Sequence, residues 1–477
     1  MDTTTVHPLY ERVADRVADL IRNGALGPGD RLPSVRRLSG QQGISITTTM
    51  EAYRLLEDRG LIEARPQSGF YVRVPANALP APRVSRPPQV STVVGIGELV
   101  QKVHTAMRQP GIVPLGAACP APELLPIEKL NRAMHGVLRR APREAHSLAH
   151  PPGCEALRRQ IARRSLDQGC ALDPDEILVT CGALEAVNLC LRAVAKPGDT
   201  IALESPTYFG LLQAIESLGM RALEIPTDPE TGLQLEALER AMERKRVHAC
   251  ALVPTFQNPL GYSMPEERKK ALVELCTRHQ VPIIEDDLNG DLFFGAKRPR
   301  TCKAFDTSGI VLLCSSFSKT LSPGYRVGWV AAGAALRDPI ERLKLVTTLA
   351  TTAVTQITIA TFLEEGGYDH HLRTMRRTLA TQAQRFRQAI VESFPAGTRV
   401  SRPEGGLTLW IELPSAVDAL ELNRRALARN ISIAPGPIFS ARSLYRNCVR
   451  LTYAQPWSAR IEAAIHTIGQ LATELCC

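Results

Sequence analysis

The segment IVLLCSSFSKTLSPGYRVGW, residues 310–329, decides the fold and carries the strongest chemical signal in the chain. Its apolar start, 310–314, predicts a buried strand that runs into a polar turn containing Lys319. A lysine at the end of a buried strand is costly unless it has a partner or loses its charge. A neutral amine can form a Schiff base with an aldehyde. From the lysine alone, a surface lysine on a polar loop is the more common arrangement, and the residues around Lys319 decide for an anchor of an aldehyde cofactor.

Three side chains around Lys319 fit a phosphate group. Ser316 and Ser318 supply hydroxyl donors and Arg326 supplies a guanidinium, which together suit a phosphate dianion. At this spacing the segment resembles the cofactor-lysine segment of fold-type-I pyridoxal-phosphate enzymes, the aminotransferase family. That resemblance implies pyridoxal 5'-phosphate as the cofactor and Lys319 as the catalytic residue.

The composition sets limits on the class of protein. With 477 residues, 44% hydrophobic and 22% charged, the chain is long enough for two or three domains. Its net charge of +9 is compatible with a nucleic-acid partner but modest for this length. Twelve cysteines lie without CxxC pairs, and neither a signal peptide nor a run of about eighteen apolar residues occurs. We expect free thiols, a cytoplasmic protein, no membrane partner and, since His370 and His371 diverge on a helix, no metal site.

A proline-rich stretch divides the chain. Residues 75–90 hold five prolines and no apolar periodicity, which predicts an extended linker. We place an N-terminal module at 1–74, the linker at 75–97 and a body at 98–477, with a smaller C-terminal α+β subdomain at about 345–477. In the body, strands alternate with helices, which predicts an α/β fold with a mostly parallel sheet. The expected strands are 176–180, 200–204, 249–254, 281–286 and 309–314, and the helices between them include 182–195, 206–218 and 265–279.

The N-terminal module has the pattern of a winged helix-turn-helix. A first helix with apolar residues at helical spacing precedes a short second helix, which Pro33 starts and Gly43 follows. Ser45 can cap a third helix over 46–58. Residues 61–74 then predict two short strands around a turn. The pattern is typical of an α+β DNA-binding domain.

The strings GDRLPSVRRL (29–38) and SGF (68–70) are the most specific parts of this module. With them the module resembles the GntR-type DNA-binding domain along its whole length, which implies double-stranded DNA as a partner; a helical domain for protein contacts is the alternative. Hydroxyls at the start of the third helix and nearby cations can meet phosphates or base edges. The candidate DNA-binding residues are Arg36, Arg37, Ser45, Thr47, Thr48, Arg65, Ser68 and Gly69.

Further motifs of the body resemble aminotransferase segments in the order of that family. TCGALEAVNL (180–189) implies a phosphate-binding turn, and ESPTYFG (204–210) implies an aromatic ring that packs against the cofactor's pyridine ring. QNPLGYSMP (257–265) implies an asparagine that hydrogen-bonds the cofactor's phenolic oxygen. IIEDDLNGDL (283–292) implies a carboxylate on the pyridine nitrogen, and CVRLTYA (448–454) implies an arginine for an α-carboxylate. The implied residues are Gly182, Ala183, Leu184, Tyr208, Asn258 and Asp286 for the cofactor, and Arg450 for the substrate or effector.

Three positions depart from the aminotransferase pattern. Many members have a tyrosine shortly after the pyridine aspartate, where this chain has Leu288 and Asn289. Another tyrosine reaches a neighbouring subunit's phosphate in many members, and here its place holds Leu148. A missing phenol near the cofactor weakens control of proton transfer. Cofactor binding can survive these changes, whereas efficient turnover is not expected.

The order of winged helix, proline-rich linker and aminotransferase-like body resembles the MocR subfamily of bacterial regulators. That resemblance implies a homodimer that binds pyridoxal phosphate and paired DNA half-sites. The first hypothesis is a transcriptional regulator that senses an amino compound through Lys319. The alternatives are a sensor of pyridoxal phosphate itself and a working aminotransferase with an appended DNA-binding domain.

Overall fold

A computed structural model describes residues 8–22, 25–27, 30–65, 68–72, 79–106 and 109–476. For Arg22 and Arg65 it describes the backbone alone, so the Arg65 side chain expected at DNA lies outside the described part, as do linker residues 75–78. Among the described residues, no helix is long and apolar enough to cross a membrane.

The N-terminal module is a winged helix-turn-helix, as the sequence predicts. Its elements are the helices α1 (Leu9–Arg22), α2 (Val35–Gln42) and α3 (Ile46–Asp58) and the antiparallel strands β1 (Ile62–Arg65) and β2 (Gly69–Val72). Ser45 caps α3, where its Oγ accepts from the Thr48 backbone N–H at 3.0 Å. The buried Tyr53 donates its hydroxyl to the Pro33 carbonyl at 2.8 Å, which ties α3 to the start of α2.

The larger unit of the body is built on a mixed sheet. Strands between residues 92 and 331 are β3 (Thr92–Val93), β4 (Val113–Pro114), β5 (Ile177–Thr180), β6 (Thr200–Ser205), β7 (Arg221–Asp228), β8 (Gly232–Leu233), β9 (Ala249–Leu252), β10 (Ile283–Asp286), β11 (Val311–Ser316) and β12 (Gly328–Ala331). All but β4 join the sheet, in the order β3-β7-β6-β9-β10-β11-β12-β5 with β8 beside β7. The run from β7 to β11 is parallel, which confirms the mostly parallel sheet, while β3, β12 and β5 are antiparallel to their neighbours.

Helices cover this sheet on both faces. They are α4 (Gly97–Ala106), α5 (Ile127–Arg140), α6 (Pro142–His146), α7 (Glu155–Asp167), α8 (Ala183–Val194), α9 (Phe209–Ser217), α10 (Leu235–Glu243), α11 (Glu266–His279), α12 (Ala334–Thr347) and α13 (Ala353–Glu364). Alternate residues of β11 enter different cores, Leu312 on one side of the sheet and Leu313 on the other. A sheet buried on both faces explains why its central strands are apolar runs without alternation.

A smaller unit with its own core follows. Helix α14 (Gly367–Ser393) leads into it, since Tyr368 belongs to a core of the larger unit and Met375 to the separate one. Residues 375–476, which we call the small subdomain, contain β13 (Arg399–Val400), β14 (Thr408–Glu412), α15 (Ala419–Leu427), β15 (Ile431–Ser432), β16 (Ala434–Pro435), β17 (Cys448–Thr452) and α16 (Ala459–Glu474). Its antiparallel sheet has the order β13-β14-β17-β16, and β15 pairs with β4. The expected subdomain start near 345 lies in α12, which packs on α8 of the larger unit.

The part of the linker that the structure describes lies on the body. Residues 79–93, which we call the strap, are extended and end in β3, at the edge of the large sheet beside β7. Ser85 hydrogen-bonds with Thr227 in both directions, at 3.1 Å from its backbone N–H and 2.7 Å to its Oγ. The strap is therefore a fastened segment rather than a free tether.

Candidate functional site

A cavity of about 550 Å³ opens at the carboxyl ends of the central parallel strands. Ligands of open α/β sheets bind at this edge, because the loops that follow the strands converge there. Most of the residues singled out in the body for the cofactor and the substrate line this one cavity. They are Tyr208, Asn258, Asp286, Ser318, Lys319, Arg326 and Arg450.

Lys319 follows β11 and extends into this cavity. Its Nζ donates to the carbonyl oxygen of Ala118 at 2.6 Å. Burial, helped by the guanidinium groups of Arg450 and Arg326, lowers the pKa of Lys319. The amine is therefore easier to deprotonate than an exposed lysine, as a nucleophilic lysine requires.

Asp286 is the last residue of β10 and lies buried at the same cavity. Its Oδ1 accepts from the Leu288 backbone N–H at 3.1 Å. Burial raises the pKa of Asp286 to about 7, with a further contribution from the neighbouring carboxyl of Asp287. A buried carboxyl with a raised pKa needs a protonated or cationic partner, and a pyridine nitrogen can supply one. Asp287 points elsewhere and forms an ion pair with Arg298.

Arg450 extends from β17 of the small subdomain and is fully buried. Its Nη1 donates to Asn258 Oδ1 at 3.0 Å, and its Nη2 donates to the Gly116 carbonyl. Its Nε has no partner among the described residues. Burial lowers the pKa of Arg450 to about 10. The group is thus a buried cation held by neutral acceptors, which an incoming carboxylate can replace.

At the phosphate end of the site, the backbone at Gly182 lies close to the side chain of Arg326. Gly182 precedes α8 with φ +81°, and a Cβ there would lie 2.5 Å from Nη2 of Arg326. Arg326 has φ +53° and donates to the Cys181 carbonyl at 3.1 Å. The first backbone amides of α8, at Ala183 and Leu184, have the free N–H groups of a helix start. A glycine is therefore required where Arg326 meets the helix start.

Four of the expected cofactor residues do not line the cavity. Gly182, Ala183 and Leu184 lie at the start of α8, where Gly182 meets the Arg326 guanidinium, and the Leu184 side chain is 45% exposed. Ser316 is buried, and its Oγ accepts from the Ser318 backbone N–H at 3.2 Å. Ser316 thus shapes the turn that carries Ser318 and Lys319.

The loop of residues 116–119 is part of the site that sequence reasoning missed. Its carbonyls at Gly116 and Ala118 accept from Arg450 and Lys319, so the loop lies between the two cations. The sequence gives no chemical signal here, because the loop acts through its backbone. Other lining residues that were missed are His104, Phe209, Val253, Pro323, Leu407 and Thr408.

The departures from the aminotransferase pattern leave no phenol at two expected places. Leu288 lines the cavity with an apolar side chain. Asn289 is buried, and its Nδ2 donates to the Phe256 carbonyl at 3.1 Å. Leu148 is 73% exposed and does not line the cavity.

The surface expected to meet DNA is exposed in the described part of the module. Arg36 and Arg37 on α2 and Thr47 on α3 are exposed. The hydroxyls of Ser45 and Thr48 lie 2.8 Å apart and bond to each other at the start of α3. Ser68, just before β2, pairs its hydroxyl with that of Tyr71 at 2.6 Å, and Gly69 begins the strand with φ +111°.

The donors and acceptors of the cavity fit pyridoxal phosphate. A lysine amine of lowered pKa, a buried carboxyl, and an arginine beside a helix start match its aldehyde, ring nitrogen and phosphate. At the phosphate end, any side chain on Gly182 would fill the space beside Arg326, so only glycine lets the backbone come this close to the guanidinium.

Comparison with known families assigns both parts of the chain. The model of aminotransferase class I and II matches residues 120–468, and that of bacterial regulatory proteins, gntR family, matches residues 9–72. The uncharacterized HTH-type transcriptional regulators YdcR and YjiR of Escherichia coli are 42% and 40% identical to this chain. Those matches cover 98% and 97% of this chain and 99% and 98% of the relatives.

Solved structures resemble the body. The multiple substrate aminotransferase of Thermococcus profundus has a TM-score of 0.74 at 28% identity, over 79% of this chain and 95% of its own. LysN of Thermus thermophilus, an α-aminoadipate aminotransferase complexed with N-(5'-phosphopyridoxyl)-L-leucine, has a TM-score of 0.73 at 30% identity, over 80% of this chain and 99% of its own. The chain therefore belongs to the MocR type of HTH transcriptional regulators, in which a GntR DNA-binding domain is joined to an aminotransferase-like domain for pyridoxal phosphate.

Proposed function

We propose that this regulator captures a small amino compound with a carboxylate in the cavity of its body, and that capture changes how its N-terminal module engages promoter DNA. The observation that carries the proposal is the convergence of Lys319, Asp286 and Arg450 on one cavity. An amine-reactive group, a carboxyl for a ring nitrogen and a buried cation for a carboxylate together select amino acids and their close analogues.

Lys319 is the covalent attachment point. Because burial lowers its pKa, a larger share of its amine is uncharged and nucleophilic at neutral pH than for an exposed lysine. Pyridoxal phosphate, when bound, supplies an aldehyde for amines and a ring that withdraws electrons. The amino compound competes with the Lys319 amine, whose Nζ has the Ala118 carbonyl as its alternative partner.

Three side chains orient the ring. The carboxylate form of Asp286 would hold a proton on the ring nitrogen by pairing with the positive charge there, and that charge would offset the burial that raises the pKa of Asp286. Asn258 uses its Oδ1 for Arg450, so its Nδ2 is available to donate to the ring's phenolic oxygen. Tyr208, the residue before α9, lines the cavity and would offer its aromatic ring to a face of the pyridine.

The phosphate is held at the other end of the cavity. Ser318 and Arg326 line it, and the start of α8 adds backbone N–H donors and the positive end of the helix dipole. These contacts would hold the phosphate without involving the amino compound.

We assign the site to ligand capture rather than to efficient turnover. Leu288 is apolar, and Asn289 carries an amide whose Nδ2 donates to the Phe256 carbonyl, so neither supplies the phenol that many aminotransferases have there. Proton transfer during turnover is therefore left to Lys319 without that assisting phenol. The relatives that match over nearly the whole length are named as transcriptional regulators, which does not favour a working aminotransferase.

The module delivers the response to DNA. A homodimer in the cytoplasm would present two copies of α3 to paired half-sites, with Arg36 and Arg37 on the phosphates and Thr47 at the groove. A ligand that favours one arrangement of the two modules then changes the affinity for the paired sites.

A lysine substitution tests the site. In Lys319→Ala we expect the visible absorbance of the bound cofactor to disappear and binding to the intergenic DNA beside its own gene to remain. The response of DNA binding to a panel of amino acids should also be lost. The matched control is Lys270→Ala, which removes an exposed lysine on α11 paired with Glu274.

Two results would contradict the proposal. Persistence of the visible absorbance in Lys319→Ala would show that another residue holds the cofactor. The second result is sustained exchange between amino and keto acids by the wild type over many turnovers. At the rate of dedicated aminotransferases, it would show that the site is primarily catalytic.

A further inference from the structure

Two turns at neighbouring strand ends carry the side chains assigned to the cofactor's aldehyde and ring nitrogen. Asp286 ends β10, and Lys319 follows the parallel neighbour β11. A rigid cofactor that attaches to Lys319 and rests its ring nitrogen on Asp286 requires a fixed separation between these two side chains. The residues that follow them in the chain, Asp287 and Thr320, show how the two turns are held together.

The start of α14 holds the residue after Lys319 at two points. The hydroxyls of Tyr368 and Thr320 lie 2.8 Å apart and bond to each other, and His371 Nε2 lies 2.7 Å from the Thr320 carbonyl oxygen. Tyr368 and His371 are three residues apart and therefore lie on one face of the helix. A ring nitrogen that meets a carbonyl oxygen must carry a hydrogen, and burial lowers the pKa of His371, which keeps its ring neutral. Thr320 is thus held by its side chain and by its backbone.

The same tyrosine also connects to the turn after Asp286. Its hydroxyl donates to Asp291 Oδ2 at 3.1 Å, and Asp291 Oδ1 accepts from Arg298 Nε at 2.9 Å. Arg298 then pairs through its Nη2 with Asp287, the residue next to Asp286. One chain of side-chain contacts therefore joins the two turns. We call its five residues the clamp: Thr320, Tyr368, Asp291, Arg298 and Asp287.

The clamp lies directly behind the cofactor cavity. A second cavity, of about 30 Å³, has Asp287, Asp291, Arg298 and Thr320 in its wall, and Leu288 lines both cavities. None of the five described clamp residues lines the cofactor cavity itself. The clamp can therefore act on the cofactor only by positioning the residues that do.

Burial makes the clamp firm and decides which of its members can be tested. Tyr368 is 1% exposed, and the side chains of Asp287 and Arg298 are 3% and 10% accessible. Removing a charge from such a pair leaves its partner buried and unpaired, which damages the whole fold. The Tyr368 hydroxyl can be removed without changing a charge. Phenylalanine would also keep the ring, whose centre lies 4.3 Å from Arg164 Cζ.

We propose that Tyr368 is a positioning residue, which through the clamp holds the Lys319 turn in place relative to Asp286 before the cofactor arrives. The roles of Lys319 and Asp286 are those of the proposed function, on which this inference rests. The physical basis is preorganisation, because the apparent affinity of a site falls with the fraction of molecules in the binding-competent arrangement. Without the Tyr368 hydroxyl, a smaller fraction holds Lys319 where the aldehyde lies, while the phosphate contacts at Ser318 and Arg326 remain.

Titrations of the cofactor-free, full-length protein with two compounds test the inference. Pyridoxal phosphate attaches to Lys319, whereas 4'-deoxypyridoxine phosphate, which has a methyl group in place of the aldehyde, can only occupy the cavity. In Tyr368→Phe, pyridoxal phosphate should bind about two- to twelvefold more weakly, the factor that the net contribution of one hydrogen bond corresponds to. The affinity for 4'-deoxypyridoxine phosphate, measured by calorimetry, should remain that of the wild type.

A second variant removes the other half of the same bond. Thr320→Val should weaken pyridoxal phosphate binding by a similar factor and should also leave the affinity for 4'-deoxypyridoxine phosphate unchanged. The double variant Tyr368→Phe/Thr320→Val should bind about as weakly as Tyr368→Phe alone, because effects on one shared bond do not add. Thr320→Val also carries the comparison if Tyr368→Phe does not fold.

Tyr453→Phe is the matched control. Tyr453 is equally buried, and its hydroxyl donates to the Gly405 carbonyl at 2.8 Å within the small subdomain. Its loss should lower the Tm of the cofactor-free protein, as Tyr368→Phe does, and should leave the affinity for pyridoxal phosphate unchanged. The comparison separates the positioning of Lys319 from a general loss of stability.

The outcomes are distinguishable. Equal weakening of both compounds in Tyr368→Phe overturns the inference, because it indicates a merely structural role, and so does an unchanged affinity for pyridoxal phosphate in the folded variant. If the visible absorbance of bound pyridoxal phosphate persists in Lys319→Ala, the proposed function fails instead, because Lys319 is then not the attachment point.

Discussion

Replacement of Gly182 by alanine is a sharp test of the phosphate end of the site. The added Cβ would lie 2.5 Å from Arg326 Nη2 and 3.0 Å from its Cζ, well inside ordinary contact distance. Gly182 also has φ +81° and ψ 169°, a region that costs a residue with a side chain about 1–3 kcal/mol. We therefore expect a folded but less stable protein in which Arg326 is displaced from the start of α8.

The expected loss of cofactor affinity follows from the bond that Arg326 makes. A hydrogen bond to a charged group contributes about 1.5–3 kcal/mol, so displacement of the guanidinium should weaken pyridoxal phosphate binding about 10- to 150-fold. The measurement is a titration of cofactor-free protein with pyridoxal phosphate, followed by visible absorbance. Thermal unfolding of the cofactor-free form reports the strain separately.

Gly198→Ala is the matched control. Gly198 also has a positive φ, +91°, but nothing lies within 4 Å of an added Cβ. It should lose stability without a loss of cofactor affinity. If folded Gly182→Ala binds pyridoxal phosphate as tightly as the wild type, the assignment of Arg326 and the α8 start to the phosphate is refuted.

Two further predictions concern the other ends of the cavity. Arg450→Gln should weaken binding of N-(5'-phosphopyridoxyl)-L-leucine about 10- to 150-fold, because a hydrogen bond to a charged group is lost. Pyridoxamine phosphate has no carboxylate, so an equal weakening of its binding would contradict the role of Arg450. The pKa of Asp286 is raised by burial from 3.8 to about 7, so in cofactor-free protein the stability that its neutral form confers is lost as pH rises from about 4 to about 7. Asp286→Asn should reduce the fall in Tm between pH 4 and pH 7. Part of that fall should remain, because the pKa values of Glu204 and Glu285 are also raised to about 7. An unchanged dependence of Tm on pH would contradict the prediction.

The elements that the sequence predicted are those with a strong local signal. The end of α2 at Gly43, the Ser45 cap of α3, the apolar central strands and the helices between them were found near their expected bounds. Strand β7, RALEIPTD, was missed because its polar residues leave neither a continuous apolar run nor a regular alternation, and because it contains a proline. Strand β12 was missed because it has only four residues and follows the Lys319 turn, a segment interpreted from its chemistry rather than from its periodicity.

The site was predictable where side chains carry the chemistry. Asp286 and Lys319 lie at or just after strand ends and Arg450 lies in the middle of β17, and a charge in or beside a buried strand is conspicuous in a sequence. The loop of residues 116–119 was not predictable, because its role depends on backbone carbonyls that any residue possesses. The fastening of the strap was hidden for a related reason, since proline-rich composition predicts extension but does not say what the segment lies against.

The resting state of Arg450 indicates which part of the ligand drives the switch. Moving an equilibrium from 1:99 to 99:1 takes about 5.5 kcal/mol of differential binding. The guanidinium now has neutral acceptors at Asn258 and Gly116 and an Nε without a partner in the described part of the chain. A carboxylate that forms two bonds there is worth about 3–6 kcal/mol before the bonds that it replaces are subtracted, and those bonds are weaker because only the guanidinium is charged in them. An amine without a carboxylate can still compete with Lys319, but it gains nothing from Arg450 and so has no hold on the small subdomain. Capture at the lysine and switching through the arginine are therefore separable functions of one site.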